Sequence, residues 1–193
     1  MRVIPTGMEM NRFAGGDGQC FRAQVNIEPQ RPTLVHVGRI AHEKNIDFLF
    51  RVLRRVLERV PDVVFIVAGE GPALAHCKSQ VEALGLARHV RFVGYLSRDS
   101  ALLDCYKAGD LFVFSSRTET QGLVLLEAMA LGVPVVSTAY MGTADIVRPQ
   151  RGAALAPDDE AGVADVVIDL LRDPQRGAAM ATQARAYAAT WSA

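Results

Sequence analysis

The sequence lacks an excess of charge of either sign: among its 193 residues, 21 Lys and Arg balance 21 Asp and Glu. A chain with no net charge has no overall attraction to nucleic acid or to an anionic lipid surface, so any anion site has to be built locally. Cysteine is also scarce: Cys20, Cys77 and Cys105 are odd in number and widely spaced, and no paired Cys-x-x-Cys for zinc is present. We interpret them as free thiols in a reducing cytoplasm.

Long apolar runs are missing as well. No run approaches the ~20 residues that a membrane-spanning helix needs, and the N-terminus has no basic stretch followed by an apolar one. We therefore expect a cytoplasmic location, at most peripheral to the inner face of the membrane in the full-length protein, and no membrane association is evident in this segment. Aromatic residues make up only 7% of the chain and do not interleave with basic ones, which argues against a nucleic-acid partner.

Short apolar runs rich in β-branched residues alternate with segments of helical period along most of the chain. The runs are continuous, which is typical of parallel strands covered by helices on both faces. The pattern predicts an α/β fold with a doubly wound, Rossmann-like parallel sheet, in which ligands bind beyond the carboxyl ends of the strands. The predicted strands are 33–37, 63–67, 90–93, 111–114 and 134–137. A helix is predicted after each of them: at 46–60, from the turn after residue 72 to residue 84, from the turn after residue 94 to residue 106, at 122–131 and near 143–147.

The chain divides at about residue 32 into an entry segment and a domain. Residues 1–32 show no regular period and are expected to be an irregular linker, with a flexible loop at the glycine-rich stretch 15–18. Residues 33–193 are predicted to form one domain that ends in two helices after Asp158, with a break at Pro174.

A glycine and two cations follow the first predicted strand. Gly38 permits close approach of the backbone to a ligand, and Arg39 and Lys44 flank the start of a helix, where unpaired amides and the helix dipole favour an anion. This arrangement suits a diphosphate. The alternative, equally consistent with the spacing, is that Arg39 and Lys44 are solvated surface charges.

Glu127 is a carboxylate on an otherwise apolar helix, where a buried charge is costly unless it is paired. With a rise of ~1.5 Å per residue, four or five residues place it about 6–8 Å from the N-terminus of that helix. That distance matches the reach from a phosphate to the diol of its own ribose. A nucleotide lying along the helix would place its phosphates on the terminal amides and its ribose on Glu127. A structural ion pair with an arginine is the alternative.

These residues and the segments around them resemble a known family. Glu119 and Glu127, with seven residues between them after a predicted strand, resemble the signature of the family 4 retaining glycosyltransferases of GT-B fold. Residues 3–9 are similar to the segment that joins the two halves of that fold, so the resemblance identifies the chain as the C-terminal, donor-binding half. Further motifs match in the family's order: Gly38-Arg39 with Lys44, Gly69-Glu70-Gly71-Pro72, Arg91-Phe92-Val93-Gly94-Tyr95 and Gly132-Val133-Pro134-Val135-Val136.

The resemblance implies a function and a set of site residues. It implies a hexosyltransferase-like enzyme that moves a sugar, with retention, from a nucleotide-diphosphate sugar to a glycan, lipid or small-molecule acceptor. Arg39 and Lys44 would hold the donor diphosphate, and Glu119 a hydroxyl of the transferred sugar. The remaining donor-binding residues would be Gly38, Phe92 with its neighbours after the third strand at the base, Glu127 at the ribose, and Gln121, Gly122, Leu123 and Val124 through their amides. Thr120 and Gln121 stand where many members have Gly and Phe, which leaves the sugar open.

The resemblance also implies the partners. They would be the nucleotide-sugar donor and the missing N-terminal domain of the same polypeptide, so the fragment alone is expected to be inactive; neither a metal nor a separate cofactor is expected. An alternative is a non-catalytic nucleotide-sugar-binding module. A nicotinamide-dependent dehydrogenase would need Gly-x-Gly-x-x-Gly after the first strand, and this sequence lacks it there. His36, His76 and His89 are interpreted as structural.

Overall fold

The protein is described by a computed structural model over residues 9–98, 100–138, 142–148 and 151–191. Within these residues the strands are β1 (Thr33–Val37), β2 (Val64–Ala68), β3 (Val90–Gly94), β4 (Leu111–Phe114), β5 (Val135–Ser137) and β6 (Ala153–Leu155). They form one sheet in the order β3-β2-β1-β4-β5-β6, and each neighbouring pair is parallel.

Helices connect the strands and close the chain. They are α1 (Gly18–Gln24), α2 (Ile46–Leu57), α3 (Leu74–Ala83), α4 (Ala101–Ala108), α5 (Leu123–Ala130), α6 (Thr143–Ile146), α7 (Glu160–Arg172) and α8 (Pro174–Ala189). Short 3-10 helices lie at Met10–Phe13 and His42–Lys44. None of the helices in the described parts of the chain combines the length and the apolar character that a membrane crossing needs.

Each central strand sends its side chains alternately into two apolar cores. Val64 and Ile66 of β2 face the core beneath α1, α4 and α5, whereas Phe65 and Val67 face the core beneath α2, α3 and α7. Because both faces are covered, β2 and β4 are apolar at every position, and this is the pattern that the sequence shows there. The predicted doubly wound α/β fold is confirmed.

The entry segment contains a helix that the sequence pattern does not predict. Asp17 precedes α1, and its carboxylate accepts a hydrogen bond from the Cys20 amide at 3.0 Å, as an N-cap residue does. The buried Arg22 of α1 donates through Nε to the Ala108 carbonyl at 2.9 Å. The expectation of an irregular entry segment is therefore wrong for residues 18–24, because packing against α4 stabilises a helix too short to show a period.

The last strand, β6, is a second difference from the predicted elements. Ala153 is buried, whereas Leu155 is 56% exposed. A strand of three residues at the edge of a sheet leaves no apolar run long enough to be recognised in the sequence. The helix break at Pro174 is confirmed, and the Asp173 carboxylate caps α8 by accepting from the Arg176 amide at 3.0 Å.

The strand order reverses at β1, which has β2 on one side and β4 on the other. Loops that leave the carboxyl ends of such neighbouring strands run to opposite faces of the sheet and open a crevice between them. The loop that follows β1 and the loop that follows β4 therefore meet at this edge, and these are the two loops that carry most of the predicted site residues.

Candidate functional site

The loop after β1 (residues 38–45) and the loop after β4 (residues 115–122) are joined by hydrogen bonds. The Ser115 hydroxyl donates to the Asn45 carbonyl at 3.0 Å, and the Asn45 side-chain amide donates to the Ser115 carbonyl at 3.4 Å. Lys44 forms an ion pair with Glu119, with 2.9 Å between Nζ and Oε2. Two side chains that lie 75 residues apart in the sequence thus belong to one cluster.

Glu119 is held as an anion by its neighbours. Its side chain is 19% exposed, and that of Lys44 is 20% exposed. Burial acts to raise the pKa of Glu119, but the hydrogen bond and charge of Lys44, together with the amides of Gly122 and Gln121, outweigh it and hold this pKa below its ordinary value. The Gly122 amide donates to Oε1 at 3.3 Å. The carboxylate therefore orders the approach to α5 and can accept hydrogen bonds from a ligand.

We expect the stabilising effect of this carboxylate to disappear in acid. A carboxylate with a lowered pKa in the folded state contributes stability above its unfolded pKa and loses it as the pH falls through the folded one. Between about pH 5 and pH 3, the unfolding free energy of the wild-type chain should fall more steeply than that of Glu119→Gln, as measured by urea denaturation. Glu82→Gln, which removes an exposed carboxylate on α3, serves as the control. Parallel curves for the wild type and Glu119→Gln would contradict the expectation.

A cleft with a volume of about 280 Å³ opens beyond the carboxyl ends of β1, β2 and β3. Gly38 and the exposed Arg39 line it from the loop after β1, and Val124 and Glu127 line it from α5. The cleft thus collects residues predicted for a phosphate site and for a ribose site. Its other lining residues are Val37, Ala68, Gly69, Glu70, Tyr95, Leu96, Arg98 and Leu102.

Glu127 has a partner that the sequence did not suggest. The hydroxyl of the fully buried Tyr106, on α4, donates to Glu127 Oε2 at 2.7 Å. Burial, reinforced by the charge of Glu127, raises the pKa of Tyr106 well above its ordinary value, so the phenol stays protonated and remains a donor. Among the described residues no arginine forms an ion pair with Glu127, and the carboxylate faces the cleft with its orientation set by a phenol.

The loops after β1 and β2 pack closely at the edge of the cleft, and this contact requires glycine at position 69. The Ile40 amide donates to the Glu70 carbonyl at 2.9 Å, which ties the loop after β1 to the loop after β2. Gly69 has a φ of 132°, and a Cβ at this position would meet the carbonyl oxygen of Gly38. A larger residue at position 69 would therefore force apart the two loops that line the cleft.

The start of α5 lies between the two predicted glutamates. Gly122, with a φ of 64°, is the buried residue that precedes the helix, and Gln121 beside it is exposed. Val124 lines the main cleft, whereas Leu123 lines an adjoining one of about 240 Å³ that also reaches Glu127. Of the predicted amide-donating segment, Val124 and Leu123 thus line a cleft, whereas Gln121 and Gly122 line neither of these two.

Phe92 does not line the cleft. It belongs to β3, and its ring packs against Phe50 of α2, with 6.1 Å between the ring centroids. The residues after β3 that line the cleft are Tyr95, which is 72% exposed, and Leu96. The expected aromatic lining is thus shifted by three positions, because the side chain of Phe92 points into the core between the sheet and α2.

Two histidines, His36 and His89, form hydrogen bonds with backbone carbonyls of the sheet region. His36 is fully buried in β1, stacks on Phe114 with 5.7 Å between the ring centroids, and donates from Nδ1 to the Val113 carbonyl at 3.2 Å. Desolvation lowers the pKa of His36 to about 4, so the ring is neutral at pH 7. His89 donates from Nδ1 to the Val63 carbonyl at 2.9 Å. Both contacts hold backbone groups at the sheet.

Sequence reasoning missed three residues around the cleft: Tyr95, Arg98 and Tyr106. Tyr95 stands at the end of a matched motif, and Arg98 follows a predicted strand, so their positions were a usable signal. Tyr106 lies within an apolar helix, where nothing separates a tyrosine that orients a carboxylate from one that fills the core. Only its distance to Glu127 reveals the difference.

Comparison with known proteins gives a family match over most of the chain. Residues 19–187 match the model of the family described as glycosyl transferases group 1. D-inositol 3-phosphate glycosyltransferase 2 from Catenulispora acidiphila is 36% identical over 203 aligned residues, which cover 99% of this chain and 47% of that protein. The chain thus spans about half the length of such relatives.

Solved structures share the same fold. HepE from Anabaena, in complex with UDP, superposes with a TM-score of 0.88 at 25% identity, covering 98% of this chain and 53% of that one. The C-terminal domain of LpcC, a glycosyl transferase group 1 family protein from Francisella tularensis, superposes with a TM-score of 0.81 at 25% identity, covering 95% of this chain and 97% of that one. The second match therefore covers nearly the whole of both chains.

Proposed function

Because the chain belongs to the group 1 glycosyltransferases, we propose that it is the donor-binding domain of an enzyme that transfers a sugar from a nucleotide-diphosphate sugar with retention of anomeric configuration. The observation that carries this proposal is the convergence of Arg39 and Glu127 on one cleft at the carboxyl edge of the sheet. A cation and an oriented carboxylate in one cleft are groups that can bind a diphosphate and a ribose. HepE, which has the same fold, is in complex with UDP.

The proposed arrangement of the donor follows from the chemistry of the lining residues. The diphosphate lies against the loop after β1, where Arg39 is exposed and Lys44 has ammonium donors beyond the one directed at Glu119. The ribose hydroxyls donate to Glu127, whose Oε2 already accepts from Tyr106. The base lies beside Tyr95 and Leu96, where an exposed ring offers a face for stacking.

In this proposal the protein assists departure of the nucleotide diphosphate electrostatically. Negative charge develops on the diphosphate as the bond to the anomeric carbon breaks, and Arg39 and Lys44 stabilise that charge without a metal ion. Glu119 accepts a hydrogen bond from a hydroxyl of the sugar while remaining paired with Lys44. Glu119 is thereby assigned to positioning the sugar beside the leaving group, and no covalent intermediate on this domain is invoked.

The acceptor site belongs, in this proposal, to a first domain that faces the cleft. The relatives are about twice as long as this chain, and a glycan, lipid or small-molecule acceptor would enter between the two domains. We expect the 193-residue chain to bind donor nucleotides and to transfer no sugar by itself. Sustained transfer by this chain alone would contradict the division of roles.

Thermal unfolding in the presence of ligands tests the proposal. A ligand that binds only the folded chain stabilises it by about 2.7 kcal/mol at one hundred times its dissociation constant. We expect UDP or GDP, and the corresponding sugar conjugates, to raise the melting temperature with a dependence on concentration. Inorganic pyrophosphate should raise it less, because it lacks the ribose that Glu127 binds. No shift with either nucleoside diphosphate, at concentrations up to millimolar, would overturn the proposed function.

A further inference from the structure

Three potential metal ligands converge on the side of the loop after β1 that lies outside the cleft. His42 comes from the short 3-10 helix, Asp47 from the first turn of α2 and His76 from the first turn of α3. One ligand atom from each residue lies within 4.8 Å of the other two. His42 and His76 are exposed and Asp47 is half-buried, so a hydrated ion can reach all three.

The chemistry of this set favours a transition metal over magnesium or calcium. Two imidazoles and one carboxylate suit zinc, copper, nickel or iron, whereas hard cations need mostly oxygen ligands. Zinc–nitrogen bonds of 2.0–2.1 Å in a tetrahedron place neighbouring ligand atoms about 3.3 Å apart. His76 Nε2 and Asp47 Oδ2 are 2.7 Å apart in a hydrogen bond that a bound ion would replace. The ligand atoms of all three residues lie within 4.8 Å of one another, so the approach to tetrahedral spacing needs only side-chain adjustments.

The surrounding structure holds the ligands in place. The Cys77 thiol donates to Asp47 Oδ1 at 3.8 Å, which directs Oδ2 towards His76. The imidazole rings of His42 and His76 lie with their centroids 5.1 Å apart. The Ala73 amide donates to the Ile40 carbonyl at 3.1 Å, so the segment that carries His42 is already attached to the start of α3. Such supporting contacts are what orient the ligands of a metal site.

We propose that His42, Asp47 and His76 form a binding site for one divalent transition-metal ion of the zinc class, with water completing the coordination. The three side chains contribute nothing to the lining of the donor cleft, so the argument for this site does not rest on the proposed function. A bound ion links residues 42–47 to α3 by coordination bonds. It thereby restrains the segment that also carries Lys44.

Calorimetric titration with Zn²⁺ tests the site. The chain is freed of metal with a chelator and carries Cys20→Ser, because Cys20 is an exposed thiol that would itself bind zinc. We expect one equivalent of Zn²⁺ to bind and Mg²⁺ not to compete. Loss of an outer-shell partner costs 10–100-fold in metal affinity, so loss of the imidazole in His42→Ala or His76→Ala should cost roughly 100-fold or more. Asp47→Asn should weaken binding in the same direction.

A matched variant and a second measurement complete the test. His89→Asn removes the half-buried imidazole outside the cluster, preserves a donor towards Val63, and should leave Zn²⁺ affinity unchanged. Hydrogen exchange of the amides of residues 41–45 should slow when Zn²⁺ is added to the wild type, and not in His42→Ala. Because His42 is exposed, its variant is expected to fold, which circular dichroism verifies. Equal Zn²⁺ affinity in the wild type and His42→Ala, or no saturable Zn²⁺ binding, would overturn the proposal.

Discussion

Replacement of Arg39 with Ala should weaken UDP binding by about 1.5–3 kcal/mol, roughly 10- to 150-fold, and should leave uridine binding nearly unchanged. Arg39 is exposed at the cleft, and in our proposal its guanidinium meets the diphosphate. Uridine has no phosphate, so the substitution removes no contact to it. Calorimetry with UDP and with uridine measures both effects, and the effect on UDP should shrink as salt is added.

The matched control is Arg54→Ala, which removes the same charge from an exposed position on α2. It should leave UDP affinity unaltered, which separates a contact at the cleft from a general effect of net charge. Equal losses of UDP and uridine affinity in Arg39→Ala would show that Arg39 supports the fold and does not bind phosphate.

The role of Lys44 needs a different set of variants, because Lys44 also forms an ion pair with Glu119. Lys44→Ala alone leaves a partly buried carboxylate without its cation, so a loss of affinity could arise from a disordered loop. The double variant Lys44→Ala/Glu119→Gln removes both charges. If Lys44 contacts the diphosphate, the double variant should bind UDP as weakly as Lys44→Ala does. Recovery of wild-type affinity in the double variant would assign Lys44 to the loop alone.

The second large effect concerns the two glutamates, which the proposed function assigns to different parts of the donor. Glu127→Gln should weaken UDP and UDP-glucose by similar amounts, on the order of 1–3 kcal/mol, because both ligands carry the ribose. Glu119→Gln should weaken UDP-glucose alone, because UDP lacks the sugar. Calorimetry of two variants with two ligands completes the cycle.

The contacts of the two glutamates in the structure show what each substitution leaves in place. Glu127 receives the Tyr106 hydroxyl at 2.7 Å, and Gln retains an oxygen that can accept the same bond, so the variant should remain folded. Glu119→Gln releases Lys44 from its ion pair but keeps an oxygen that can accept from the Gly122 amide, so binding of a diphosphate should not weaken. Glu82→Gln on α3 is the control for removing one negative charge. If Glu119→Gln weakens UDP as much as Glu127→Gln does, the division between ribose and sugar is wrong.

Local sequence signals sufficed wherever a segment's environment is uniform. The run 111–114 is apolar at every position because β4 is covered on both faces, and a short continuous run of that kind is typical of a buried parallel strand. Pro174 ends one helical pattern and begins another because it lacks an amide hydrogen and has a preset φ, which suits the first turn of α8. Local sequence signals did not predict an element whose stability comes from tertiary packing. α1 is held by its contacts with α4, and these do not appear in its own seven residues.

By itself, the sequence determined the class of fold, the edge of the sheet at which the cleft opens and the loops that carry polar residues to it. Those properties follow from local periodicity and from the general behaviour of parallel sheets. The tertiary structure decided which side chains meet: Lys44 with Glu119, Tyr106 with Glu127, and Phe92 with Phe50, which excludes that ring from the cleft. These contacts depend on the strand order β2-β1-β4 and on which face of β3 a side chain occupies. Contacts between distant segments leave no period or spacing in the chain, because they are set by packing and not by the local backbone.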